Sequence, residues 1–263
     1  MSASTATIQE NKTPALGHGD FVWYELVTTD VDAAGAFYSS VVGWTIKDSG
    51  TPGMRYDLIS AGPTQVGGIA GMPNNPPGWL GYIAVDDVDA YATRVKKAGG
   101  TIHREPQDIP GIGRFSVVGD PQGAVFILFK GNGTAPARPD PRDLGFVGWR
   151  ELCAKDGQAD FAFYAELFGW RKTEAHDMGP MGMYQTFSTN DGPMNCGAMD
   201  CPPGVPPHWN FYFTVDDIRA AVKRLEAGGG KVLHGPTQVP GGSWVVNAMD
   251  PQGAHFALTA AKG

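Results

Sequence analysis

Residues 21–44 read FVWYELVTTDVDAAGAFYSSVVGW, and residues 146–170 return as FVGWRELCAKDGQADFAFYAELFGW. At an offset of 126, Trp23 matches Trp149, Glu25 matches Glu151, Asp30 matches Asp156, Phe37-Tyr38 match Phe163-Tyr164, and Gly43-Trp44 match Gly169-Trp170. At an offset of 130, WLGYIAVDDVDA from Trp79 matches WNFYFTVDDIRA from Trp209, Gly99-Gly100 match Gly229-Gly230, and DPQGA at Asp120 recurs at Asp250. Such self-similarity outranks any local signal, because it says that one unit is built twice. The copies span residues 20–130 and 146–263. A Pro/Gly-rich segment without apolar periodicity, 131–145, reads as the linker. Residues 1–19 read as a disordered tail, since they lack the apolar run of a secretory signal.

Each copy states one pattern twice. An apolar stretch, 22–27, precedes Thr28-Thr29-Asp30, a good cap for a helix whose apolar positions Ala33, Ala36, Phe37 and Val41 recur at three and four. Gly43 closes that helix as a left-handed residue. Short strands follow at 45–48, 55–60 and 65–71, divided by Gly/Pro turns. The second half repeats the order: strand 81–85, Asp86-Asp87 as cap, helix 88–98, Gly99-Gly100 as stop, then strands near Ile102, at 114–118 and at 124–129. The chain therefore reads as α+β, with four βαβββ modules.

Composition narrows the function. The 263 residues carry 20 Lys+Arg against 27 Asp+Glu, a formal charge of -7, and 42% of them are hydrophobic. A chain of this length can bury a real core. Phosphate recognition needs clustered cations, so nucleic acid and anionic membrane are excluded as expected partners. No stretch of eighteen or more apolar residues spans a membrane. Three cysteines, Cys153, Cys196 and Cys201, do not describe a disulfide framework and read as ordinary thiols of a cytoplasmic protein. GGIAG at Gly67 and PGIG at Pro110 lack the strand-to-helix setting of a phosphate loop. The paired aspartates of both VDD segments sit at helix starts, where acids offset the helix dipole and act as caps.

The segments TTDVDAAGAFYSSVVGW, VDDVDAYATRVKKAGG and GDPQGAVFILF, with their counterparts in the second copy, resemble the vicinal-oxygen-chelate superfamily. That superfamily includes glyoxalase I, bleomycin-resistance proteins and extradiol dioxygenases. The tandem form, with WYEL and WREL at the strand starts, is similar to its two-domain glyoxalase-like members. The resemblance implies that modules pair into cups of eight strands, half-barrels that hold a substrate or metal. It also implies metal ligands on the first and last strands of the modules, where a divalent ion can hold two vicinal oxygens. Carried across by spacing, those positions are Trp23, Leu80 and Ile127 in copy one, and Trp149, Asn210 and Ala257 in copy two. The fourth lies within 65–71 or 194–199, where neither copy offers a carboxylate or histidine. No metal and no other cofactor is expected at these positions.

Residues two away from a ligand position share its face of the strand. Cup one is then lined by Trp23, Glu25, Leu80, Tyr82, Val125 and Ile127, and cup two by Trp149, Glu151, Asn210, Tyr212, His255 and Ala257. Two readings stand: a small-molecule pocket with aromatic walls, or aromatics that simply fill the sheet. Glu25 and Glu151 need a reason for burial. They are candidate acid–base groups, together with His255, or structural carboxylates paired with Arg150 or Arg55, or residues facing water. Glu151, His208 and His255 could form a displaced two-His-one-carboxylate set, although Pro206 and Pro207 stand just before His208. His18 is placed in the tail, and His103, His176 and His234 near turns. The reading is a protein, monomer or homodimer, that binds a small, partly apolar or aromatic molecule without the usual metal. The rival is a lyase, isomerase or dioxygenase using displaced ligands or Glu151 as acid/base.

Overall fold

A computed structural model of the chain describes residues 16–134, 136–189 and 192–263. Each copy forms one eight-stranded sheet. In copy one the strands are β1 (Phe21–Thr28), β2 (Thr45–Asp48), β3 (Tyr56–Ala61), β4 (Thr64–Gly71), β5 (Gly78–Ala84), β6 (Thr101–Ile109), β7 (Gly113–Gly119) and β8 (Val125–Gly131). Their order is β2-β3-β4-β1-β5-β8-β7-β6. Copy two supplies β9 (Val147–Ala154), β10 (Arg171–Asp177), β11 (Met183–Ser188), β12 (Cys196–Asp200), β13 (His208–Thr214), β14 (Lys231–Gln238), β15 (Trp244–Met249) and β16 (His255–Ala260). These run β10-β11-β12-β9-β13-β16-β15-β14, the same order. Within a module the first and last strands pair in parallel, β1 with β4 and β5 with β8, and the modules join through the antiparallel β1–β5 pair. Consecutive modules thus close each sheet within one chain.

Helices α1 (Val31–Val42), α2 (Val88–Lys97), α3 (Gly157–Phe168) and α4 (Ile218–Ala227) supply the crossovers. Asp30, Asp87, Asp156 and Asp217 are their N-caps, each side chain accepting from a first-turn amide. Gly43 and Gly169 end α1 and α3 at φ 88° and 74°, where a side chain would clash with the backbone. The buried face of α1 is Ala34, Phe37, Tyr38 and Val41, with Ala33 and Ala36 exposed. The expected helix is present, but the stripe is turned by one position. No helix among the described residues is long and apolar enough to cross a membrane.

The outer faces of both sheets and the four helices share one core. Residues repeated in the two copies lock it across them. Tyr38 of α1 donates to Asp250 of copy two at 3.1 Å, and Tyr164 of α3 donates to Asp120 of copy one at 2.8 Å. Trp79 and Trp209 each donate to the neighbouring tyrosine oxygen, both at 2.9 Å. Trp44 donates to the backbone carbonyl of Gly145, which immediately precedes copy two, and Trp170 to that of Gly19, which immediately precedes copy one. Asp120 and Asp250 also accept from the amides of their own DPQGA turns, so both carboxylates are saturated although nearly fully buried.

Of the tail expected over 1–19, residues 1–15 lie outside the described part, and 16–19 are tied down. The Leu16 amide donates to the Pro136 carbonyl and the Gly19 amide to the Ala84 carbonyl. His18 lies 3.0 Å from the Tyr91 hydroxyl and faces Phe168. His103, His176 and His234 lie within β6, β10 and β14 rather than at turns. The Tyr91 hydroxyl, the Asp86 carboxylate at 3.6 Å and the Phe168 ring hold His18 in place, which composition alone did not reveal.

Candidate functional site

Strand alternation sends Tyr24 and Leu26 outward to the shared core, and Trp23 and Glu25 into the concave face of sheet one. Glu25 lies between Gly68 on β4 and Leu80 on β5. Tyr82 donates to its carboxylate at 2.8 Å, Tyr56 from β3 bonds to it as well, and the Trp23 indole donates to the Tyr56 oxygen at 3.1 Å. Copy two rebuilds the arrangement. Glu151 lies between Gly197 and Asn210. It accepts from Tyr184 at 2.8 Å and Tyr212 at 2.9 Å, while the Trp149 indole donates to the Tyr184 oxygen at 2.8 Å. The glycine beside each carboxylate is required sterically. A Cβ at Gly68 would overlap the Tyr56 hydroxyl, and one at Gly197 the Tyr184 hydroxyl.

Neither glutamate has the expected arginine. Arg150 points outward and donates to Tyr24 at 2.6 Å, and Arg55 binds Asp57 and Asp32 at the surface. Burial pushes both Glu25 and Glu151 above the ordinary carboxylate range, and the tyrosine donors offset only part of this. The phenols are raised in turn by burial and by the carboxylate charge. Each cup thus holds a carboxyl group whose proton is retained more easily than in water.

The walls differ. Cup one is filled by Tyr82, Phe115 and Ile127, with Trp23, Leu80, Ile109, Val117 and Phe129 against them. At the corresponding register positions cup two has Asn210 for Leu80, Val245 for Phe115, Asn247 for Val117, Ala257 for Ile127 and Thr259 for Phe129. Asn210 donates to Asn247 at 2.7 Å, and Asn247 also bonds to Tyr212. The Asn210 Oδ1 is buried without a partner. Glu25 is 8% exposed, whereas Glu151 is partly exposed.

The structure brings together Trp23, Glu25, Leu80, Tyr82 and Ile127 in one cup, and Trp149, Glu151, Asn210 and Tyr212 in the other. His255 departs from expectation. As the first residue of β16 it is exposed, and its ring faces His208 at 5.8 Å. The set Glu151, His208 and His255 does not form, because β13 places Asn210 beside Glu151 and His208 beside Cys153. Pro206 and Pro207 do not exclude His208 from the strand; it is the first residue of β13. Cys153 and Cys201 are joined in a disulfide, contrary to the expectation of free thiols, and Cys196 alone is a buried thiol. Tyr56, Tyr184, Asn247 and both glycines were missed. Tyr184 follows Tyr56 by 128 residues and Gly197 follows Gly68 by 129, between the two offsets compared, because loop insertions accumulate along the repeat.

The donor chemistry does not fit the metal that the resemblance implies. Trp23, Leu80 and Ile127, and Trp149, Asn210 and Ala257, provide no anionic or imidazole donor, and Glu25 and Glu151 accept from tyrosines. A separate cavity of about 480 Å³ lies between the copies, lined by Asp20, Tyr24, Arg138 and Arg150 among others. There Arg138 pairs with Asp20 at 2.8 Å.

A model of the glyoxalase/bleomycin resistance protein/dioxygenase superfamily matches residues 20–128 and 146–258. "Putative glyoxylase CFP32" of Mycobacterium tuberculosis is 35% identical over 244 residues, covering 90% of this chain and 92% of the relative. "Anthracycline biosynthesis protein DnrV" of Streptomyces peucetius is 31% identical over 257 residues, covering 90% and 91%. Among solved structures, the Mn(II)-bound glyoxalase from Novosphingobium aromaticivorans superposes with a TM-score of 0.65 at 18% identity, covering 94% of this chain and 83% of that one. Two matched segments, one in each copy, agree with the two sheets and their module order, and the chain belongs to the glyoxalase/bleomycin resistance protein/dioxygenase superfamily.

Proposed function

We propose that cup two binds a small, partly aromatic molecule through polar groups, without the superfamily's usual metal. The observation that carries this is the partnerless Asn210 Oδ1, buried among Asn247, Tyr212 and Glu151. A buried acceptor left unmade costs about 1–3 kcal/mol, so a ligand hydroxyl that fills it gains what the free protein lacks. Trp149 is the register partner of Tyr212, and the smaller Ala257 and Thr259 stand where cup one has Ile127 and Phe129. A relative named for anthracycline biosynthesis supports a flat, hydroxylated aromatic ligand. The enzymatic reading has one specific support: Glu151, with its raised pKa, can exchange a proton with a ligand through Tyr212.

Titration with a hydroxylated anthraquinone tests the proposal. Asn210→Leu, which installs the residue of cup one, removes binding, while Leu80→Asn leaves it unchanged. Binding that persists in Asn210→Leu, or that is lost on changing Leu80, overturns the assignment.

A further inference from the structure

At the end of cup two farthest from Trp149, three strands bring sulfur and imidazole donors together. Cys153 is the penultimate residue of β9, and its register partner on β13 is His208. Cys201 immediately follows β12, fixed by its amide donating to the Ala154 carbonyl at 2.7 Å. The two sulfurs and a His208 ring nitrogen all lie within 4.8 Å of one another, and Cys153 is buried while the other two are partly exposed. A tetrahedral Zn(II) with bonds of about 2.0–2.3 Å needs donors spaced roughly 3.5 Å apart, within reach of this cluster.

We propose that Cys153, Cys201 and His208 form a site for one Zn(II) ion, opened by reduction of the Cys153–Cys201 disulfide. His208 has one ring nitrogen committed to the backbone. Its Nδ1 lies 2.9 Å from the Pro206 carbonyl, so Nδ1 carries the proton and Nε2 keeps a free lone pair. A backbone carbonyl holding the second ring nitrogen is the usual support for a metal-bound histidine. The loop between the donors, CPPGVPPH, carries four prolines in the six residues separating Cys201 from His208. Fixed φ angles lower the entropy lost on ordering it.

Charge favours the ion as well. Two thiolates and a neutral imidazole around Zn(II) make a complex with no net charge, which can sit in a partly buried place where a bare dication could not. Three protein donors leave the fourth position to water, the pattern of an open rather than a closed zinc site. Copy one has none of these donors. Val27, Met72 and Gly78 stand at the corresponding positions, Met72 making the same amide bond to Thr28 that Cys201 makes to Ala154. The site lies away from the family's ligand positions and is independent of the aromatic ligand proposed above.

The opening step balances as thiol–disulfide exchange. A dithiol passes two electrons and two protons to the Cys153–Cys201 bond, yielding two thiols and its own disulfide, and Zn(II) then displaces both thiol protons into solvent. The test is to reduce the full chain with a dithiol, remove the reductant anaerobically, and titrate Zn(II) against a chromophoric chelator. One ion per reduced chain is expected, with affinity lower by at least roughly tenfold in the oxidised chain and in reduced Cys201→Ser and His208→Gln. Co(II) in place of Zn(II) should give thiolate charge-transfer absorption that Cys153→Ser lacks. Equal affinity in the oxidised and reduced chains, or retention of the ion by Cys201→Ser, overturns the proposal. Because Asn210→Leu is expected to abolish anthraquinone binding and spare Zn(II), failure of one reading is separable from failure of the other.

Discussion

Cup one is closed by Phe115, Val117, Ile127 and Phe129, where cup two has Val245, Asn247, Ala257 and Thr259 on the same backbone register. Both retain the glutamate, its two tyrosines, the tryptophan and the clearing glycine. The carboxylate arrangement therefore belongs to the scaffold, and only the walls distinguish a packed hollow from one with unspent polar groups. Duplication lets one copy carry stability while the other can give up apolar contacts.

The largest effect tests that division directly. Phe115→Ala should cost about 3–5 kcal/mol in denaturant unfolding, because it deletes a buried ring from a filled cup. Val245→Phe should cost less than about 1 kcal/mol and weaken anthraquinone binding. Equal losses in the two variants would erase the distinction between the cups.

A second contrast lies at Asp160, which takes the place of Ala34 in copy one. It is buried against Asp120 with no donor facing either oxygen, and desolvation together with the Asp120 charge raises its pKa to about 8. The folded state therefore holds a proton that the unfolded chain releases near pH 4. The resulting stability is complete below that pH and declines as pH rises toward 8. Asp160→Asn should gain about 1–3 kcal/mol at pH 8 and flatten the decline, as followed by melting temperature across pH. A lower melting temperature for this variant at pH 8 would refute the buried-proton account.

A tenfold change is expected next. Glu151→Gln should weaken anthraquinone binding about tenfold, or ~1.4 kcal/mol, while Glu25→Gln leaves it unchanged. The smallest effect should be symmetric: Asp87→Ala and Asp217→Ala each cost about 1 kcal/mol by removing matched helix caps. Unequal losses there would show that the copies differ in their helices as well as in their cups.

The module order was legible because the repeated Gly-Trp and VDD signals have fixed structural duties as left-handed caps and N-caps, whereas the pairing of modules into cups came only with the family resemblance. Inward parity was legible at Glu25, Tyr82, Glu151 and Tyr212, since alternation along a strand is strict. The partners of the glutamates were not, because Tyr56 and Tyr184 reach them from a different strand across a missing Cβ. His255 was misplaced for a related reason: parity gives the side of a strand but not how far its end projects past the sheet. The Cys153–Cys201 bond depends on register between β9 and β12, which spacing along the chain cannot supply.

The crossed hydrogen bonds of Tyr38 with Asp250 and Tyr164 with Asp120 carry a consequence for the chain's history and handling. Each half finishes its partner's turn, so severing the peptide within 131–145 removes a tether but none of these clasps. The severed halves would be mutually dependent folding partners, and the duplicated gene encodes what is physically a fused heterodimer.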